Sequence, residues 1–165
     1  MADHNKSNNS SPNSHDKPFT TPPMWLIPWI SRAHVAFYKL TSGKVGSDLA
    51  GKPGLLLRTT GRRSGKPDTV CLPYLPDENS KVVVASFAGA DHHPAWFHNL
   101  KANPDVIVRD KRDVYWAKAK VVEGEDRPQL WDKVVNDSPW YGEYQTKTER
   151  QIPLVRLEYD RPYSP

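Results

Sequence analysis

Apolar residues recur along this chain with two different periods, and the change from one to the other marks out the elements. Leu26, Trp29, Ile30, Ala33, Phe37 and Leu40 fall at helical spacing, with Arg32 and Lys39 off the stripe. An amphipathic helix is expected there, within residues 18–43 and stopped near Gly43. The residues before it, 1–17, are mostly Asn, Ser, His and Lys with almost nothing to bury, which predicts a disordered tail. Beyond Gly54 the period shortens. Leu55 to Thr60, Thr69 to Leu75 and Lys81 to Ala85 read as strands, separated by the turn-rich stretches Gly61 to Pro67 and Pro76 to Ser80. A helix from Pro94 to Ala102 follows, with His93 as its cap or opening loop residue. Then come a strand from Asp105 to Arg109, the turn Asp110 to Asp113, and a long strand from Val114 to Val122. Glu125 to Asn136 is helical, a short helix holds Tyr141 and Tyr144, and Leu154 to Tyr159 closes the sheet. Strands outnumber helices and lie in hairpins, so residues 46–160 are expected to form a mainly β, α+β domain: a small antiparallel barrel with helical covers.

Composition narrows the function classes. The 165 residues suffice for one domain with a core that needs neither disulfide nor metal. Cys71 is the single cysteine, so no internal bridge can form and a reducing, cytoplasmic setting is expected. It sits in a strand with no basic neighbour to activate it as a catalytic thiol. A net charge of +4 suits an anionic partner without identifying it. Acidic and basic residues alternate over most of the length, so nucleic acid is not expected as a partner, and no protein partner is indicated. The opening residues lack the pattern of a secretory signal, and the apolar run Met24 to Ile30 is too short to span a bilayer. The paired tryptophans and basic flanks of residues 24–40 leave two uses open: packing onto the domain, or peripheral contact with the inner face of a membrane.

Candidate chemistry concentrates in three places. Arg58, Arg62, Arg63 and Lys66 crowd a glycine-flanked turn with no acidic residue before Asp68, as an anion site or a solvated hairpin tip would. It is not a nucleotide P-loop, because three residues separate Gly61 from Gly65 and Pro67 stands where a magnesium ligand is needed. Ala85-Ser86-Phe87-Ala88-Gly89 offers small residues against which a flat ring can lie, followed by a helix start. Tyr141 and Tyr144, three apart, would face one side of a helix, either as packing residues or to meet an acceptor oxygen that gains negative charge. His92, His93 and His98 lack the spacing of a zinc site, and no metal is expected.

Leu56 to Pro67, Ala85 to Pro104 and Tyr141 to Gln145 together resemble the deazaflavin-dependent nitroreductase family of actinobacteria. The resemblance covers roughly Gly51 to Glu158 and implies a split β-barrel of the FMN-binding-protein type. It also implies reduced coenzyme F420, a deazaflavin with a phosphate and an oligoglutamate tail, as hydride donor to a quinone, nitro compound or activated alkene. By position, Arg62, Arg63 and Ser64 would hold the anionic tail. Thr69, Val70, Cys71, Leu72 and Pro73 would line one side of the coenzyme, with Ala85, Ser86 and Phe87 against its ring system. Ala95, Trp96, Phe97, His98 and Asn99 would close the pocket, and Tyr141 and Tyr144 would stand beside the acceptor, with Tyr141 also against the coenzyme. Asp68 and Phe87 stand where related chains often carry cations, and Ser138 and Pro73 stand where tyrosines occur. An acceptor other than a nitro compound is therefore expected. The rival readings are a non-catalytic carrier of flavin, deazaflavin or lipid, and an FMN-dependent reductase on the same fold.

Overall fold

A computed structural model of the chain describes residues 51–164, the strand residues Asp48–Leu49, and Val35. The tail 1–17 and the helical stripe expected on residues 24–40 lie outside the described residues. Val35, which is not on that stripe, is helical and buried.

The chain order is β1 (Asp48–Leu49), β2 (Lys52–Thr60), β3 (Pro67–Pro73), β4 (Leu75–Asp77), β5 (Ser80–Val84), a 3-10 turn (Phe87–Gly89), α1 (Ala95–Ala102), β6 (Asp105–Asp110), β7 (Asp113–Val121), α2 (Asp126–Asp137), α3 (Trp140–Thr146) and β8 (Leu154–Pro162). All the pairings are antiparallel: β2 with β6, β6 with β7, β7 with β8, β8 with β5, and β5 with β4. The stretch expected as one strand through Leu75 breaks at Tyr74, and the break has a structural purpose. β3 pairs with β2 while β4 pairs with β5, so one bent segment joins both ends of the sheet and curls it into the expected split barrel. A register shift at Trp116/Ala117 adds curvature in β7.

Strand alternation then sorts the core. Leu55 and Leu57 on β2, Val83 on β5, and Val155 and Leu157 on β8 point into the barrel with Trp96, Phe97 and Leu100 of α1. The opposite faces are covered too. Val82, Val84 and Leu154 pack under Leu130 and Val134 of α2 and Tyr141 and Tyr144 of α3, while Leu56 and Cys71 pack with Val35. With strands buried on both faces, the triple leucine of β2 is a requirement of packing, each fully buried side chain contributing roughly 1.5–3 kcal/mol.

Candidate active site

The basic turn after β2 is built by backbone geometry. Gly61 N–H donates to the Lys66 carbonyl and Gly65 N–H to the Gly61 carbonyl, each at 2.8 Å. Ser64 Oγ accepts the Lys66 N–H at 3.2 Å and stands only 2.6 Å from where a Cβ on Gly61 would lie, so a larger residue there would displace the Ser64 hydroxyl from this bond. Arg62, Arg63 and Lys66 are left exposed.

Asn99 joins this turn to the helix that follows the small-residue loop. Its side chain is buried; Oδ1 accepts the Arg62 N–H at 3.1 Å, and Nδ2 donates to Thr59 Oγ1 at 3.2 Å. Replacing Asn99 by alanine removes both bonds, leaving buried Thr59 Oγ1 with only its 3.5 Å bond to the Asp68 carbonyl, and is expected to cost about 1–3 kcal/mol, read as a lower urea midpoint at unchanged m-value. On the preceding residue, His98, burial and then the positive charges of Arg62 and Lys101 hold the imidazole below its ordinary pKa. Lys101 is a cation that sequence reasoning passed over; its ammonium lies 6.0 Å from the Phe97 ring centroid.

The Ala85 to Asp91 loop is tightly specified. Phe87 (φ 47°) and Ala88 (φ 54°) are both left-handed, although neither is glycine. Gly89 (φ 82°) packs against α3, where an added Cβ would stand 2.7 Å from the Tyr144 carbonyl oxygen. Phe87 meets His92 edge-on at 5.1 Å, and Ala88 packs with the Tyr141 and Tyr144 cluster. His93 is not the cap of α1: Pro94 occupies that position, and the His93 ring turns instead to Arg150 and Phe97. A proline has no N–H to satisfy, and its fixed φ suits a helix entry.

Tyr141 and Tyr144 face the same side of α3, as their spacing predicts, with ring centroids 6.2 Å apart and both side chains buried. Burial pushes the Tyr141 phenol far above its ordinary value, and burial followed by the Glu143 charge raises that of Tyr144. Both are therefore neutral donors at physiological pH. Tyr141 shares a narrow cleft with Pro73 at the end of β3 and with Ser138, Asp137 and Lys52. Lys52 Nζ pairs with Asp137 Oδ1 at 2.9 Å, and Ser138 Oγ donates to Asp137 Oδ2 at 2.8 Å. This network lowers the Asp137 pKa against the opposing effect of burial.

Thr69, Val70, Cys71, Leu72 and Pro73 are all half-buried, but they alternate across β3: Val70 and Leu72 pack against the barrel core, and Cys71 packs on the other face with Leu56 and Val35. Burial raises the Cys71 thiol to about 12, which keeps it protonated and inert. On α1, Ala95 is exposed and His98 half-buried, whereas Trp96 and Phe97 lie in the barrel core and contribute a wall. Ala85 and Ser86 are buried and Phe87 is half-exposed. Contacts thus run from Arg62 through Asn99 to α1, from His93 through Arg150 to the loop, and from Gly89 and Ala88 to Tyr144, Tyr141 and Pro73. A groove of about 980 Å³ lies elsewhere, beside the β4–β5 hairpin, lined by Asp77, Lys133, Arg156 and Glu158 among others and by none of these residues.

Arg150, whose side chain gathers the carbonyls of the Ala85 to Asp91 loop, is a residue that sequence reasoning missed. It follows an unremarkable polar stretch, and its partners lie 57 to 65 positions upstream, so no local pattern announces it.

A family model described as F420H(2)-dependent quinone reductase matches residues 29–159. An F420H(2)-dependent quinone reductase of Mycobacterium tuberculosis is 40% identical over 130 residues, covering 76% of this chain and 87% of its own. Among solved structures, an F420-H2 dependent reductase is similar with a TM-score of 0.59 and 42% identity, over 64% of this chain and 94% of its own. A structure described as a domain-swapped dimer gives 0.61 and 36%, over 80% of this chain and 98% of its own.

Proposed function

The chain belongs to the F420H(2)-dependent quinone reductase family, and on that premise we propose that it transfers hydride from reduced coenzyme F420 to a quinone at the face shared by β3, the Ala85 to Gly89 loop and α3. The observation that carries this reading is the Asn99 side chain, which ties the helix following the small-residue loop to the cationic turn at Arg62 N–H and to Thr59 at the end of β2.

The residues present suit the coenzyme. Arg62 and Arg63, with Lys101 nearby, offer charge-assisted donors for a phosphate and a glutamate tail. The half-buried Pro73 at the end of β3 and the small residues of the loop suit a flat ring. When bound, the reduced coenzyme supplies the hydride. The protein's part is to hold the quinone against that ring and to keep water away. As the quinone takes up hydride its oxygen becomes anionic, and the Tyr141 phenol donates its proton there. One hydride and one proton convert quinone to hydroquinone, and solvent restores the phenol. Tyr144, edge-on to Tyr141, orients the donor.

Among the described residues no helix is long and apolar enough to cross a membrane. We assign residues 24–40 to peripheral contact with the inner face of the cell membrane, where a lipophilic quinone is met. Replacing Trp25, Trp29 and Ile30 by serine in the full chain is expected to abolish co-sedimentation with anionic liposomes; unchanged binding would remove that role.

The functional reading is tested by following reduced F420 oxidation with a soluble quinone, a nitroaromatic and an activated alkene. Turnover with the quinone at least tenfold above the other two is expected. No oxidation with any of them would return the protein to the carrier class.

A further inference from the structure

All five N–H donors of Arg150 are committed. Nε donates to the Ala90 carbonyl at 2.7 Å, Nη2 to the Ser86 carbonyl at 2.6 Å and the Ala85 carbonyl at 3.4 Å, and Nη1 to the Ala85 carbonyl at 3.3 Å and to His93 Nδ1 at 3.1 Å. Three of the seven carbonyls between Ala85 and Asp91 thus converge on one guanidinium, on either side of the left-handed pair Phe87 and Ala88. That pair is costly in the free chain, and a planar fork of donors can hold it in a way that a single charge cannot. Arg150 is itself positioned from the tyrosine helix, since Gln145 Nε2 donates to its carbonyl at 2.8 Å. Asp91, which faces the same guanidinium, is fixed by the Thr148 hydroxyl at 2.9 Å.

The His93 contact makes this arrangement conditional. A guanidinium only donates, so His93 Nδ1 must be an unprotonated acceptor and the ring carries its proton on Nε2. Protonating Nδ1 would set two N–H groups and two positive charges against each other. The charged and titratable groups facing His93 are Arg150 from the segment before β8, and His98 and Lys101 from α1; all are cationic or become so. Burial first, then these charges, hold the imidazole below its ordinary pKa.

We propose that Arg150 is the positioning residue of the site: held against neutral His93, it fixes the Ala85 to Asp91 loop in the shape that receives the coenzyme ring, and it releases that loop when His93 becomes an imidazolium. The coenzyme half of this statement rests on the function proposed above; the loop half does not. Because the folded His93 pKa is depressed, the loop is fully held above about pH 6.5 and is loosened as pH falls below it.

Amide exchange in the full chain without coenzyme tests the loop half. At pH 7.5, Arg150→Lys is expected to speed exchange at Gly89 and Ala90 at least tenfold while the barrel amides of Leu57 and Val83 keep their rates. The wild type should show the same local gain, corrected for intrinsic exchange, on lowering the pH from 7.5 to 4.5. His93→Asn, which retains an acceptor and cannot titrate, should not. Unchanged loop exchange in Arg150→Lys, or an acid response in His93→Asn equal to the wild type's, would overturn the proposal; should Arg150→Lys fail to fold, the His93→Asn comparison decides it alone. Fluorescence titration with F420 tests the coenzyme half. A Kd at least tenfold higher in Arg150→Lys at pH 7.5, with kcat at saturating coenzyme within threefold, supports it, and a Kd within twofold overturns it. No binding by the wild type would overturn the functional reading and the coenzyme half with it, leaving the loop half to the exchange data.

Discussion

Tyr141→Phe is expected to lower kcat for quinone reduction about a hundredfold or more while the Kd for F420 stays within twofold of the wild type's. The substitution removes one phenolic oxygen and keeps the ring, so the edge contact with Tyr144 at 6.2 Å and the tilted contact with Trp140 at 5.7 Å survive. What is lost is the phenolic oxygen, with its hydrogen bond to Trp140 and the proton proposed to meet the developing oxyanion. Burial keeps this phenol protonated far above the usual tyrosine range, so wild-type kcat should show no alkaline loss from this group below about pH 10. Rapid-mixing measurement of F420 oxidation, run beside fluorescence titration, separates the two effects. Equal turnover in the variant would remove Tyr141 from the chemistry and leave it as packing.

The second large effect concerns the joint between loop and helix. Gly89→Ala is expected to destabilise the protein by roughly 3 kcal/mol, combining the strain of a positive φ on an L side chain with overpacking. The φ of 82° is one contribution; the Tyr144 carbonyl oxygen, 2.7 Å from the new methyl, is the other. Lys147 crowds the same point at 3.0 Å through its own Cβ, so a flexible tip cannot move aside. Thermal unfolding should register a fall on the order of 10 °C. Because the displaced backbone carries Tyr144, coenzyme affinity and turnover should fall together, unlike in Tyr141→Phe. A melting temperature within about 2 °C of the wild type's would show that the loop and α3 can separate without cost.

The fold was readable in proportion to how local its causes are. Leu55 to Thr60 and Lys81 to Ala85 carry enough apolar and β-branched residues, between clear turn signals, to be placed within a few positions. Tyr141 and Tyr144 could be put on one face because helical spacing alone decides it. The break at Tyr74 had one signal, Pro73, which cannot donate to a ladder; that the chain there leaves β2 to join β5 was not readable, and barrel closure imposes it. The left-handed Phe87 and Ala88 had no signal either, because the residues that hold them come from Arg150 far along the chain. His93 was expected as the cap or the loop residue opening the helix; it is the loop residue, and a partner absent from that neighbourhood claims its ring. At the site, resemblance supplied which residues belong together, and the structure adds the bonds that join several of them. Asn99 to Arg62 is the clearest case, a contact across 37 positions that no local pattern encodes.

One measurement bears most directly on the claim that the basic turn and the loop form a single coenzyme site: fluorescence titration of the full chain with F420 beside FMN, repeated with Arg62→Ala/Arg63→Ala and at raised salt. Saturable F420 binding, tighter than FMN by at least tenfold, weakened by salt and weakened tenfold or more in the double variant, is the expected result. Equal or tighter binding of FMN, or a double variant that binds F420 like the wild type, would contradict it.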